Sequence, residues 1–177
     1  MSLNHALGWS LVFAFVLPLL ACSPALDWRD VKLAQTPLRL QLPCRAVAQE
    51  RRIQLAGQRV QWHLQTCSSG EHTFGVAWAD LGNPLLVSLA LQELLTAARS
   101  NVAASGDAAK PFLVPGATPH AASRQTLLTG RRADGQAVQM HLAVFTYGTA
   151  VFQVTALGPS VKTEVVGPLM DSLRFQP

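Results

Sequence analysis

Residues 51–103, RRIQLAGQRVQWHLQTCSSGEHTFGVAWADLGNPLLVSLALQELLTAARSNVA, change their hydrophobic period once, and that change decides the fold. Up to Ala79 the apolar residues recur at every second position, the mark of a half-buried strand. Val60, Trp62 and Leu64 take one face and Gln61, His63 and Gln65 the other, while Phe74, Val76 and Trp78 share a face further on. Gly57-Gln58 and Ser68-Ser69-Gly70-Glu71 read as turns, so Arg51 to Ala56, Arg59 to Cys67 and His72 to Ala79 are expected as successive antiparallel strands. From Asn83 the period becomes helical. Asn83 is an N-cap and Pro84 takes the first helical position, where its missing N–H costs nothing. Val87, Leu91, Leu94, Leu95, Ala98 and Val102 share one face of a helix from Leu85 to about Ala103, opposite Ser88, Gln92, Thr96 and Arg99. Ser105-Gly106 ends it.

Outward from this stretch, Leu38, Leu40 and Leu42 alternate with Arg39 and Gln41 until Pro43, which predicts an earlier strand. Asp107 to Ser123 is rich in Pro, Gly and Ala and reads as loop. Strands are expected again at Arg124–Thr129, Ala137–Tyr147 and Thr149–Leu157, with turns at Ala133-Asp134-Gly135 and near Gly148. Ser160 to Phe175 carries Val161, Val165, Leu169, Met170 and Leu173 at helical spacing, and Pro168 should kink or split that helix. Hairpin-length links between strands argue for an α+β domain, an antiparallel sheet of about six to seven strands covered by one long helix and a C-terminal helix.

Two segments carry a resemblance. Thr73-Phe74-Gly75-Val76-Ala77-Trp78-Ala79-Asp80 precedes the long helix, and Val151-Phe152-Gln153-Val154-Thr155-Ala156-Leu157-Gly158-Pro159 precedes a closing Asp171-Ser172-Leu173-Arg174-Phe175. With their elements they resemble small exported bacterial proteins with a Mog1/PsbP-like fold, over roughly residues 28 to 175. That resemblance implies a binding or accessory role, and it rests on packing patterns rather than chemistry.

Ala6 to Ala21 is an unbroken stretch without charge. As a helix it would measure about 24 Å, short of the ~30 Å hydrocarbon core, which suits a signal peptide better than a membrane span. Its end, Leu19-Leu20-Ala21-Cys22, resembles the lipobox of bacterial lipoproteins, which implies cleavage after Ala21 and acylation of Cys22. The expected division is a signal at 1–21, a lipidated N-terminus and linker at 22–27, and one periplasmic domain at 28–177. Ser23 after the cysteine implies an outer-membrane destination. Met1 to His5 holds no Lys or Arg, and this leaves an ordinary signal peptide or an uncleaved anchor open.

Every Asp, Glu, Lys and Arg lies after Ala25, so the formal net charge of +4 belongs to the remainder of the chain. The densest basic runs are Arg51-Arg52 and Arg131-Arg132, with no stripe of interleaved aromatics, which argues against nucleic acid as a partner. With Cys22 acylated, Cys44 and Cys67 remain as one pair, expected as a disulfide in an oxidising compartment, with two unpaired thiols as the alternative. A metal site from Cys44, His63, Cys67 and His72 is opposed by spacing: His63 and Cys67 would lie about 13 Å apart along one strand. His120 falls in the loop and His141 in a strand. No Gly-x-Ser-x-Gly, His-Glu-x-x-His or phosphate-cradling glycine loop occurs, so no catalytic residue, metal or cofactor is assigned.

On a helical wheel Leu85 and Leu89 fall among the polar residues. With the Trp78-Ala79-Asp80-Leu81 turn they suggest a partner surface of Trp78, Leu81, Leu85 and Leu89. The tryptophans after the signal, Trp28, Trp62 and Trp78, are expected in the core or near the membrane. The expected function is therefore that of a lipid-anchored, non-enzymatic periplasmic domain, held to the membrane by acyl chains and binding another envelope protein. A small-ligand or lipid-binding module is the first alternative, and a hydrolase or metal enzyme the second.

Overall fold

The computed structural model describes residues 26–105 and 109–176. The expected signal at 1–21 and Cys22 lie outside them. Among the described residues ten strands and two α-helices are laid out in three layers. The central layer is a seven-stranded, wholly antiparallel sheet built from β3 (Val47–Leu55), β4 (Gln58–Ser69), β5 (His72–Asp80), β6 (Lys110–Pro111), β7 (Arg124–Arg131), β8 (Ala137–Tyr147) and β9 (Ala150–Gly158). Its spatial order is β3-β4-β5-β9-β8-β7-β6. β3 and β4 are joined by Ala56-Gly57, with φ of 49° and 78°, a left-handed pair that matches the twist of a tight hairpin. The turn therefore sits one residue earlier than the glycine position suggests.

One face of this sheet carries α1 (Val87–Asn101). A short 3-10 turn, Pro84–Leu86, leads into it, and Asn83 Oδ1 accepts the Leu85 N–H at 3.0 Å. Val87, Ala90, Leu91, Leu94 and Ala98 are buried against Trp62, Ala77, Ala79, Leu142, Val144 and Val151. The helix ends earlier than Ser105-Gly106. Ala103, at φ 44°, is the left-handed residue, and the Ala103 and Ala104 N–H groups return to the Ser100 and Arg99 carbonyls at 3.1 and 3.0 Å.

The other face is covered by a layer that alternation does not reveal. β1 (Arg29–Lys32), β2 (Leu38–Leu42) and β10 (Arg174–Phe175) form a second antiparallel sheet in the order β1-β2-β10. α2 (Thr163–Ser172) lies beside β2, where Ser172 Oγ accepts the Gln41 N–H at 2.8 Å. Leu38, Leu40, Leu42, Leu169, Leu173 and Phe175 close over Phe74, Trp78, Phe145, Phe152 and Val154. Pro168 does not split α2. Its missing hydrogen bond would have gone to the Glu164 carbonyl in the first turn, whose residues Thr163 and Glu164 are exposed, so the helix continues past it. The covering of the large sheet is thus one helix on one face, and a small sheet with a helix on the other.

Candidate functional site

Of the four residues suggested as a partner surface, two are interior. Trp78 is 7% and Leu81 6% exposed, because β5 is sandwiched between two layers and Phe74 to Ala79 are all buried. Leu85, at 86% exposed, and Leu89, at 45%, are on the surface at the start of α1. Beside them Ser88 Oγ lies 3.3 Å from His120 Nε2, tying the helix to the 112–123 segment.

Cys44 and Cys67 form a disulfide with Cα atoms 5.7 Å apart. It joins the segment after β2 to β4, and so bolts the small sheet to the large one. Cys67 is thereby removed from any ligand set, and among the described residues no three His, Cys, Asp or Glu side chains converge.

The histidines have separate partners. His63 Nδ1 lies 3.0 Å from Glu50 Oε1 and its ring stacks on Trp78. His72 Nε2 lies 2.8 Å from the Ser160 carbonyl. His141 sits partly buried on β8, and desolvation holds its pKa below the usual 6.5. Asp80 ends β5, and its carboxyl is held below the ordinary carboxylate range. The Thr149 hydroxyl at 2.6 Å contributes most and the Gly82 N–H at 2.9 Å next, against a smaller opposing effect of burial.

Four strands set aromatic side chains in one row across the sheet. His63, Trp78, Phe152 and Phe145 are successive cross-strand partners on β4, β5, β9 and β8, with ring centroids 4.1, 6.4 and 5.4 Å apart. Phe175 closes the row edge-on, 5.2 Å from Phe152 and 6.0 Å from Phe145, and carries Tyr147 stacked on it at 4.6 Å. The row explains why Trp78 is a packing residue.

The opposite face of the sheet has an opening. α1 leaves a cleft of about 220 Å³ beside β3, β4 and β5, with Ile53, Trp62, Leu64, Ala77, Leu94 and Ala98 as its apolar lining. Arg51, Asn101, Gln153 and Thr155 supply its polar groups. Such a lining suits a small molecule with an apolar body and polar or anionic substituents. Sequence reading missed this cleft because it depends on where α1 crosses the sheet, which no local pattern records. Among the described residues no helix is long and apolar enough to cross a membrane. Compared with protein-family models, with curated proteins and with solved structures, the chain matches none.

Proposed function

We propose that this chain is an exported, lipid-anchored domain of the bacterial envelope that acts by binding another envelope protein. The observation that carries the reading is the Cys44–Cys67 disulfide, a bond that persists in oxidising compartments and is rare in reducing ones. It agrees with the uncharged Ala6–Ala21 stretch and its Leu-Leu-Ala-Cys ending, which give Cys22 as the acylated residue. Two or three acyl chains, at ~0.8 kcal/mol per buried methylene, would hold the domain at the bilayer. Leu85, exposed on the 3-10 turn that leads into α1, and Leu89, exposed on the first turn of α1, are the residues offered to a partner. In this reading the three-layer arrangement is a Mog1/PsbP-like one, a fold whose members with known roles mostly serve as binding or accessory subunits.

The test is the intact mass of the protein extracted from membranes, before and after reduction and alkylation. A chain beginning at Cys22 with added acyl mass, and with Cys44 and Cys67 alkylated only after reduction, is the expected result. A full-length, unacylated chain would overturn it.

The cleft under α1 favours a second reading, a small-ligand module. Native mass spectrometry of the purified protein separates the two: a co-purifying small molecule supports the ligand module, and a bare mass counts against it.

A further inference from the structure

We propose that β3 is a dimerisation edge, which pairs antiparallel with β3 of a second copy about a two-fold axis through Arg51. This inference stands independently of the lipid anchor. β3 is the outermost strand of the large sheet, and no described strand lies beyond it. All of its residues but Ile53 and Leu55 are exposed.

Sheet edges are commonly protected by short length, proline, charged side chains (lysine above all) or a bulge, and of these β3 has only its charges, Glu50, Arg51 and Arg52, which a second copy can pair. The far edge of this sheet follows that rule, since β6 has two residues and one is Pro111. β3 has nine residues with neither proline nor lysine, and its register with β4 runs unbroken from Val47 opposite Thr66 to Leu55 opposite Gln58. A two-residue turn makes Leu55 and Gln58 a hydrogen-bonded pair, so the odd-numbered residues of β3 bond to β4. The main-chain N–H and C=O groups of Ala48, Glu50, Arg52 and Gln54 therefore point outward, ready for another strand.

Charge selects both the occupant and the register. A two-fold axis perpendicular to the sheet keeps each residue on its own face, so an axis through Arg51 sets Glu50 opposite Arg52 of the second copy, twice. Gln49 then meets Ile53, Ala48 meets Gln54, and Val47 meets Leu55. Moving the axis by one residue would set Glu50 against Glu50, or Arg52 against Arg52, and remove both ion pairs. Glu50 already receives Gln61 Nε2 at 3.1 Å and lies 3.0 Å from His63 Nδ1, which orients its carboxylate, and its two oxygens retain room for a guanidinium. The one unfavourable pairing is Arg51 against its own copy, on the face of the α1 cleft that Arg51 lines. The two clefts would thus adjoin across the axis, each with an arginine at the seam.

The test uses the full chain in nonionic detergent. Directly opposed residues in a non-hydrogen-bonded pair have Cβ atoms about 4.5–5.5 Å apart, near disulfide reach. Under mild oxidation Arg51→Cys is expected to give a covalent dimer. Val47→Cys, whose neighbour would be Leu55, is expected to form no covalent dimer, and neither is the parent chain. Glu50→Arg should weaken dimerisation at least ten-fold by sedimentation, adding Arg52→Glu should restore it, and Arg51→Thr should tighten it several-fold. Sedimentation as a monomer up to about 100 μM, where even transient interfaces are populated, would overturn the proposal. So would a dimer in which Arg51→Cys fails to cross-link.

Discussion

His63 and Trp78 lie face to face, ring centroids 4.1 Å apart and planes 11° from parallel, at directly opposed positions on β4 and β5. The imidazole covers one face of an otherwise buried indole, and Glu50 holds it in place from β3. His63→Ala should therefore cost about 1–2 kcal/mol, since stacking beyond area burial is worth roughly 0.5–1.5 kcal/mol and Trp78 gains exposure. His63→Phe keeps the stack and should cost less. Urea unfolding followed by tryptophan fluorescence measures both, and equal losses would show that stacking is not the source.

Two small residues where the chain leaving α1 meets β7, Gly130 and Ala103, should respond in opposite directions. A Cβ on Gly130 would stand 1.8 Å from the Val102 carbonyl oxygen, which also accepts the Arg131 N–H at 2.7 Å. Backbone cannot yield as a flexible side chain does, so Gly130→Ala should destabilise by about 3 kcal/mol. Ala103→Gly relieves a left-handed alanine and should stabilise by about 0.5–1 kcal/mol. Thermal denaturation of the two variants should displace the midpoint to opposite sides of the parent value.

Replacing Cys44 and Cys67 together by alanine should cost about 3 kcal/mol, the chain-entropy value for a loop of this length. Because the bridge joins the two sheets, the loss should show first as exposure of the small-sheet layer. Hydrogen exchange comparing β1, β2 and β10 with β8 and β9 would reveal it, and uniform loss of protection would argue against a local role.

Stability should fall as pH drops below neutrality. His141 has a depressed pKa in the folded state, because burial disfavours its charged form. Its neutral form is therefore favoured by folding, and that contribution is present above the unfolded value near 6.5 and lost as pH falls through the folded one. Asp80 has the same sign in a more acidic window, below its ordinary 3.8, as Thr149 and Gly82 lose an ionised acceptor. Urea midpoints of the parent at pH 7.5 and 5.5 should differ, and His141→Gln should narrow the difference. An unchanged difference would assign the titration elsewhere.

The long strands and α1 were legible because each has a local period: β2, β4, β5, β8 and β9 alternate, and Val87 to Ala98 repeats at helical spacing. β1 and β10 were not. Arg174-Phe175 is too short for any period, and it becomes a strand only because Leu38 and Arg39, from the other end of the chain, pair with it. Trp78, suggested for a partner surface and also expected in the core, is interior for a related reason. Alternation marks a buried and an exposed face, but β5 has layers on both, so the residues between the apolar ones are buried too. The cleft under α1 and the outward edge of β3 belong to the assembled sheet, and only the order of its strands exposes them.

The pairing of β10 with β2 also sets a timetable. Leu38, Leu40 and Leu42 are made early in a chain synthesised N-terminus first, yet the strand that completes their sheet is residues 174–175. Until those residues arrive, the aromatic row from His63 to Phe145 lacks the ring of Phe175 across it. Such long-range closure is slow, and it leaves apolar surface exposed in the meantime. During that interval the half-made domain depends on whatever shields it, so its greatest vulnerability comes before the chain is complete rather than after.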